Sequence, residues 1–215
     1  SVLAGVCYSE SDARIDIGSD ATITAQDFVA HASAKVYVSP APLSLPLPFA
    51  IAVGVGLTTA KVTFAGDLTT TGDATFRSTT DHIVDVVADA DGKWHGAAAI
   101  GVSAIVSDAT ADVTTAADLA VEGNLFVQGD TIDRNRTMAR STAGKDGAVG
   151  IAVAVSVENG ETNAFLDGTA VVAGDIYVTA TETQEMVPVN KIFVIPSTTI
   201  GTMAQAGVGS SSTGD

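Results

Sequence analysis

Four stretches of this 215-residue chain repeat one another, and that repetition constrains the fold more than any single motif. IAVGVGLTTAKVTFAGDLTTTGDATF from Ile51, VSAIVSDATADVTTAADLAVEGNLFV from Val102 and VAVSVENGETNAFLDGTAVVAGDIYV from Val153 align by eye. AGVCYSESDARIDIGSDATITAQDFV from Ala4 is a less regular fourth copy. With Ala25, Gly72, Gly123 and Gly174 as equivalent points, the spacings are 47, 51 and 51 residues. A fixed long period marks stacked architectures, in which a unit buries its apolar face only against its neighbours.

Within a unit the columns alternate. Two residues after the anchor stand Asp27, Ala74, Leu125 and Ile176; four after it stand Val29, Phe76, Val127 and Val178. A period of two places such residues on one face of a strand, assigned here to the interior. Three after the anchor come Phe28, Thr75, Phe126 and Tyr177 on the opposite face. Stacked in register, Phe28, Phe126 and Tyr177 form a broken aromatic ladder; the alternative is three unrelated exposed rings. A further segment opens each unit, with Ile or Val on one face (Ile51, Val53, Val55; Val102, Val106; Val153, Val155, Val157). Its other face is small: Ala50, Ala52, Gly54, Gly101, Ser103, Ala152, Ala154 and Ser156. A strand polar on neither face is expected to be buried on both. The small face is therefore the expected packing and assembly surface, open to another sheet or a neighbouring molecule.

Composition agrees with strands throughout. Hydrophobic residues make up 46% of the chain but aromatics only 5%, so the apolar share is mostly Ala and Val. Branched Val and Thr suit a pleated surface, and Gly and Asp suit the turns. The expected fold is an all-β parallel β-helix, a β-solenoid of four repeats of about 50 residues. Repeats fall at about 1–48, 49–96, 97–147 and 148–200, with 201–215 opening a further one. AGVCYSESD near the start and AGVGSSSTGD near the finish stand at the same phase, as expected of a segment from a longer array. Two coils per repeat or one wide coil both fit this length.

Charge and cysteine usage narrow the functions. A formal charge of −15 repels nucleic acid and anionic headgroups. Cys7 is the only cysteine, so no intrachain disulfide forms. No apolar run reaches the 18 residues of a membrane helix, and membrane insertion is not expected. The start, Ser-Val-Leu-Ala, has neither an initiator Met nor the basic flank of a signal peptide, so any export signal is expected outside this sequence.

AVGIAVAVSVENGETNAFLDGTAVVAGDIYVTATET, from Ala148 to Thr183, resembles the repeats of giant bacterial exoproteins related to filamentous haemagglutinin. Those repeats run as an Ala/Val/Gly strand, an Asn- or Asp-bearing turn, a Thr/Ala strand, then Gly-Asp-Ile/Leu-x-Val-x-Ala. The resemblance covers about four-fifths of the chain, best from Gly96 to Thr183. It implies a secreted or cell-surface protein with a right-handed parallel β-helix and an adhesive, filament-forming or matrix role. Self-association into filaments or bundles and a glycan or cell-surface ligand are the implied partners. The proline-rich stretch Ser39 to Pro48 and the segment Val187 to Thr199 depart from the pattern.

The enzymatic alternative is a polysaccharide lyase or hydrolase, because pectinase-like enzymes share the β-helix. Such chemistry needs clustered carboxylates, or a basic group beside a metal-bound acid. The acids here fall mostly singly. Asp85, Asp89 and Asp91 are the densest group and the candidate Ca2+ ligands, set against a plain solvated loop. Asp130 to Arg140 reads as a salt-bridged loop. His31 falls in a different unit from His82 and His95, and no zinc motif is present. Lys93-Trp94-His95 is a candidate carbohydrate contact, against a loop anchor. No nucleophile elbow or phosphate loop occurs, so neither a catalytic residue nor a cofactor is assigned.

Overall fold

The computed structural model describes residues 2–40, 48–92, 96–144, 148–185, 187 and 201–208. Among the described residues all thirteen elements are strands, as the alternation predicts. They run β1 (Val2–Ile17), β2 (Thr22–Ala25), β3 (Phe28–Val38), β4 (Phe49–Phe64), β5 (Asp67–Thr70), β6 (Ala74–Gly92), β7 (Ala97–Val113), β8 (Asp118–Val121) and β9 (Leu125–Ala143). Then follow β10 (Gly150–Leu166), β11 (Thr169–Val172), β12 (Ile176–Gln184) and β13 (Gly201–Val208). Each strand pairs in parallel with its equivalent in the next repeat, giving sheets β1-β4-β7-β10, β2-β5-β8-β11 and β3-β6-β9-β12. One repeat is thus one coil, with a long strand, a short strand and a long strand.

The coil is flattened. The first and third sheets face each other, and within a coil their long strands run in opposite directions. A Cβ built on Gly54 would lie 2.6 Å from Val86, one on Gly56 3.2 Å from Val36 and 3.3 Å from Val84, and Thr58 meets His82. The short second sheet closes one narrow side. Behind it lies one apolar cluster, in which Phe64, Phe76, Leu119 and Leu125 are fully buried. Burial of each such side chain contributes about 1.5–3 kcal/mol. A second cluster, with Val36, Val38, Val84, Val86, Ala97 and Ala99, fills the other half of the slab.

The small face of the first sheet points into the coil. Ala50, Ala52 and Ser103 are buried, Ala152 and Ala154 are half-buried, and Ser103 Oγ lies 3.0 Å from Ser156 Oγ. Gly54 and Gly101 belong to the same face; a Cβ on Gly101 would meet the Met138 carbonyl at 3.0 Å. The expectation that another sheet approaches here is met by the third sheet of the same coil. These residues are therefore not a surface for a neighbouring molecule, which corrects the assembly reading. The valine and isoleucine face is the outward one.

Register differs from an ungapped alignment. The second and third sheets pair at intervals of 51 among the later coils, as in Asp118↔Thr169 and Leu125↔Ile176. The first sheet pairs Ile51 with Ile100 and Val102 with Val155. Turns of unequal length absorb the difference: β1 to β2 takes Gly18–Ala21, whereas β4 to β5 takes only Ala65–Gly66. In the first coil Phe28, not Asp27, pairs with Ala74. That one-residue slip exchanges the faces. Phe28 turns inward against Phe64 and Phe76, with ring centroids 5.9 and 5.4 Å away, and Val29 lies outside, 69% exposed. The ladder is thus Phe126 on Tyr177, stacked at 5.0 Å and 7°, without Phe28.

Two further segments differ from expectation. Asp130 to Arg140 lies wholly within β9. Gly201–Val208 pairs with Arg136–Ala143, so it continues the third sheet of the fourth coil and does not open a fifth repeat.

Candidate functional site

The most regular polar feature is a ladder at the turn before the third sheet. The Asp73 N–H donates to Asp27 Oδ1 at 3.0 Å, that of Asn124 to Asp73 Oδ1 at 2.7 Å, and that of Asp175 to Asn124 Oδ1 at 2.9 Å. Each side chain lies where a Cβ on the residue one coil further along would go. A Cβ on Gly123 would collide with Asp73 Oδ1 and lie 2.6 Å from the Gly72 carbonyl carbon. On Gly174 it would lie 2.6 Å from both Asn124 Oδ1 and Gly123 O. This is why Gly precedes Asp or Asn in three repeats. The first coil has Gln26 in that column, where Gly72 N–H bonds to its carbonyl at 2.7 Å. A Gln side chain there leaves no room for an Asp or Asn side chain beneath it.

A second feature crosses all four coils on the outer face of the third sheet. Lys35 Nζ lies 2.5 Å from Asp81, Asp81 also binds Arg134, and Arg134 NH2 lies 2.6 Å from Glu185. Alternating signs let each of the two inner charges, Asp81 and Arg134, serve two neighbours. Arg77 meets Asp130 at 2.8 Å, and Arg136 holds Asp85 through Nε at 2.8 Å and NH2 at 2.6 Å. The Ca2+ reading is corrected here. Asp85, Asp89 and Asp91 follow one another along a straight outer edge of β6, and a guanidinium holds the first. No set of three Asp, Glu, His or Cys side chains converges for a metal among the described residues. Lys93-Trp94-His95 lies outside them, as does Ala41 to Leu47 of the proline-rich stretch.

Between the two apolar clusters runs a buried polar seam that sequence reasoning missed. His82 is 0% exposed; Thr58 Oγ1 lies 2.7 Å from its Nε2, and Asp133 Oδ1 lies 3.1 Å from its Nδ1. The carboxylate oxygen is off the N–H direction and takes no hydrogen bond from the described residues. Thr80 and Thr131 share a 3.0 Å bond, and Thr137 donates to Ser103 at 2.6 Å, which donates to Asn135 at 3.2 Å. Hydroxyl, imidazole and carboxylate in that order resemble a nucleophilic triad. A substrate has to reach the hydroxyl, however, and Thr58 is only 2% exposed. The seam instead ties the facing sheets together. A sequence signal existed: His82 lies six residues after Phe76, in the inward phase of the same strand.

The outer face of the first sheet is divided. Toward the strand starts it is aliphatic, with Ile51↔Ile100 and Val53↔Val102↔Val155 in rows along the axis. Toward the strand ends it carries Asp12, Asp16, Asp108, Asp112 and Glu161 against Arg14 and Lys61. Ile51, Ile100, Val153 and Val155 are each exposed by 36–43%. No protein-family model, curated protein or solved structure matches the chain.

Proposed function

We propose that this chain is a structural, adhesive segment of a large bacterial cell-surface or secreted protein that forms filaments. One observation carries the reading: one repeat closes one coil, and each coil stacks on the last through three in-register parallel sheets. Such a fold gains length by repetition and needs only nearest-neighbour contacts. Its chemistry-bearing side chains serve the stack. The carboxylates Asp81, Asp85 and Asp130 are held by cations of adjacent coils, and His82 is sealed between sheets. The outer faces remain for a glycan or cell-surface ligand and for other copies. The sequence resemblance to filamentous haemagglutinin-type repeats supports the same reading and a location outside the cell.

Two measurements test this. Binding of the purified chain to immobilised glycans and to cell surfaces is expected to saturate. Incubation with acidic polysaccharides, followed by ultraviolet absorbance of unsaturated sugars and by reducing-end assay, is expected to show no product. Turnover that follows the protein through purification would replace this reading with the β-helix lyase or hydrolase.

A further inference from the structure

We propose that the aliphatic half of the first sheet's outer face binds the same face of a second copy, joining two coil stacks side by side and parallel. The inference rests on the coil stack itself and not on the extracellular role proposed above.

Both sides of this sheet read as packing surfaces, and only one is used within the coil. The outward rows cross four coils and are mostly Ile and Val in the second to fourth, side chains that pack sheet on sheet, while the first coil presents Ala4, Val6, Tyr8 and Glu10 in the same columns. An apolar half-strand of about nine residues is about 30 Å long, and each coil adds about 4.8 Å, giving about 140 Å2 per coil. Four coils offer about 570 Å2, against about 800 Å2 per partner in a standard stable interface. The chain is therefore expected to form a weak dimer whose affinity grows with the number of coils.

Charge selects the arrangement. A two-fold axis along the strands lays each acidic half on its counterpart, five carboxylates against five with only two cations on each side. A two-fold axis along the stack lets the aliphatic halves overlap while the acidic halves project in opposite directions. Coil then faces like coil, with Val155 near the centre opposite its own equivalent. End-to-end stacking, the other route open to a second copy, meets an obstacle at the ladder. Gln26 would bring a side chain onto the column that Asp175 occupies, where the three later coils carry glycine.

Sedimentation velocity of the whole chain tests the proposal. A reversible dimer is expected in about 1 M salt, where the screening length is about 3 Å, and a weaker one in about 0.01 M salt. Val155→Glu, on an outward side chain, should weaken it at least tenfold with an unchanged β spectrum and melting temperature. Thr59→Glu, on the acidic half, should leave it intact. In a Cys7→Ser background, Val155→Cys should cross-link to itself on oxidation. A chain that stays monomeric to about 1 mM in high salt overturns the proposal. So does a dimer indifferent to Val155→Glu. Cross-linking found only between Val6→Cys and Val155→Cys chains would overturn it as well, because it reports coil one on coil four.

Discussion

Gly123→Ala isolates the turn ladder. The added methyl would collide with Asp73 Oδ1 and lie 2.6 and 2.7 Å from the Gly72 carbonyl carbon and oxygen. Two of these three atoms are backbone, so a rotamer change gives no escape. Relief requires the coils to part by roughly 0.5–1 Å at this turn. That lengthens two bonds, Gly123 N–H to Gly72 O at 3.0 Å and Asn124 N–H to Asp73 Oδ1 at 2.7 Å. Lengthened and not broken, the two bonds together lose about 1 kcal/mol, and overpacking adds about 1–3 kcal/mol, so a loss of about 2–4 kcal/mol is expected. With a urea m-value of about 2 kcal/mol/M, the midpoint falls by about 1–2 M. Gln26→Ala, in the same column of the first coil, should shift it by less than about 0.25 M. Leu125→Ala, fully buried two residues further on, serves as a positive control, with a loss of about 2–5 kcal/mol. If Leu125→Ala unfolds early while Gly123→Ala melts like wild type, the steric account of the Gly-Asx pair is refuted.

Other perturbations probe the seam, the core and the ladder's outer partner. His82→Leu should cost about 1–3 kcal/mol by leaving the buried Thr58 hydroxyl without its imidazole partner, and His82→Leu with Thr58→Val should recover most of it, as read by a double-mutant denaturation cycle. Val127→Asp places an unpaired carboxylate in a fully buried column and should cost several kcal/mol in the same assay, whereas Asp89→Asn should change stability by less than about 0.5 kcal/mol. The Tyr177 phenol is raised above its ordinary value by the charge of Asp175 and by its hydrogen bond to that carboxylate. Because the folded value is the higher one, the stabilisation is present below about pH 10 and is lost as pH rises through the folded value. Ultraviolet titration should show Tyr177 ionising later than in urea, and Asp175→Asn should abolish the delay.

Strand identity was legible because alternation survives every irregularity; Ala74, Phe76, Leu125 and Val127 fall inward as their phase predicts. Register was less legible, since turns of two and four residues shift the first sheet against the others without disturbing the period. Phe28 shows the cost, because a one-residue error moved it from core to surface. For the small face of the first sheet the sequence leaves open another sheet or a neighbouring molecule, and the choice between them is volumetric. Val36, Val38, Val84 and Val86 reach across from the third sheet and occupy the space, so the strand opposite must be small inside. Hydrophobicity alone assigns the branched face to the core, and only the partner's size reverses it. The ion-paired row left a faint trace, as Lys35, Asp81, Arg134 and Glu185 alternate in sign at near-repeat spacing.

The flattened coil has a mechanical consequence. Strands of 17 and 19 residues, such as β7 and β6, make each coil about 55–60 Å wide, whereas two facing sheets with their side chains are about 20 Å thick. For an elastic bar, bending stiffness scales as the square of that ratio between its two transverse directions, here about eightfold. A long stack of such coils therefore behaves as a tape. It flexes readily across its thin dimension and resists bending in the plane of its broad faces. Two tapes joined over their aliphatic halves would double the thin dimension there and raise stiffness in the compliant direction.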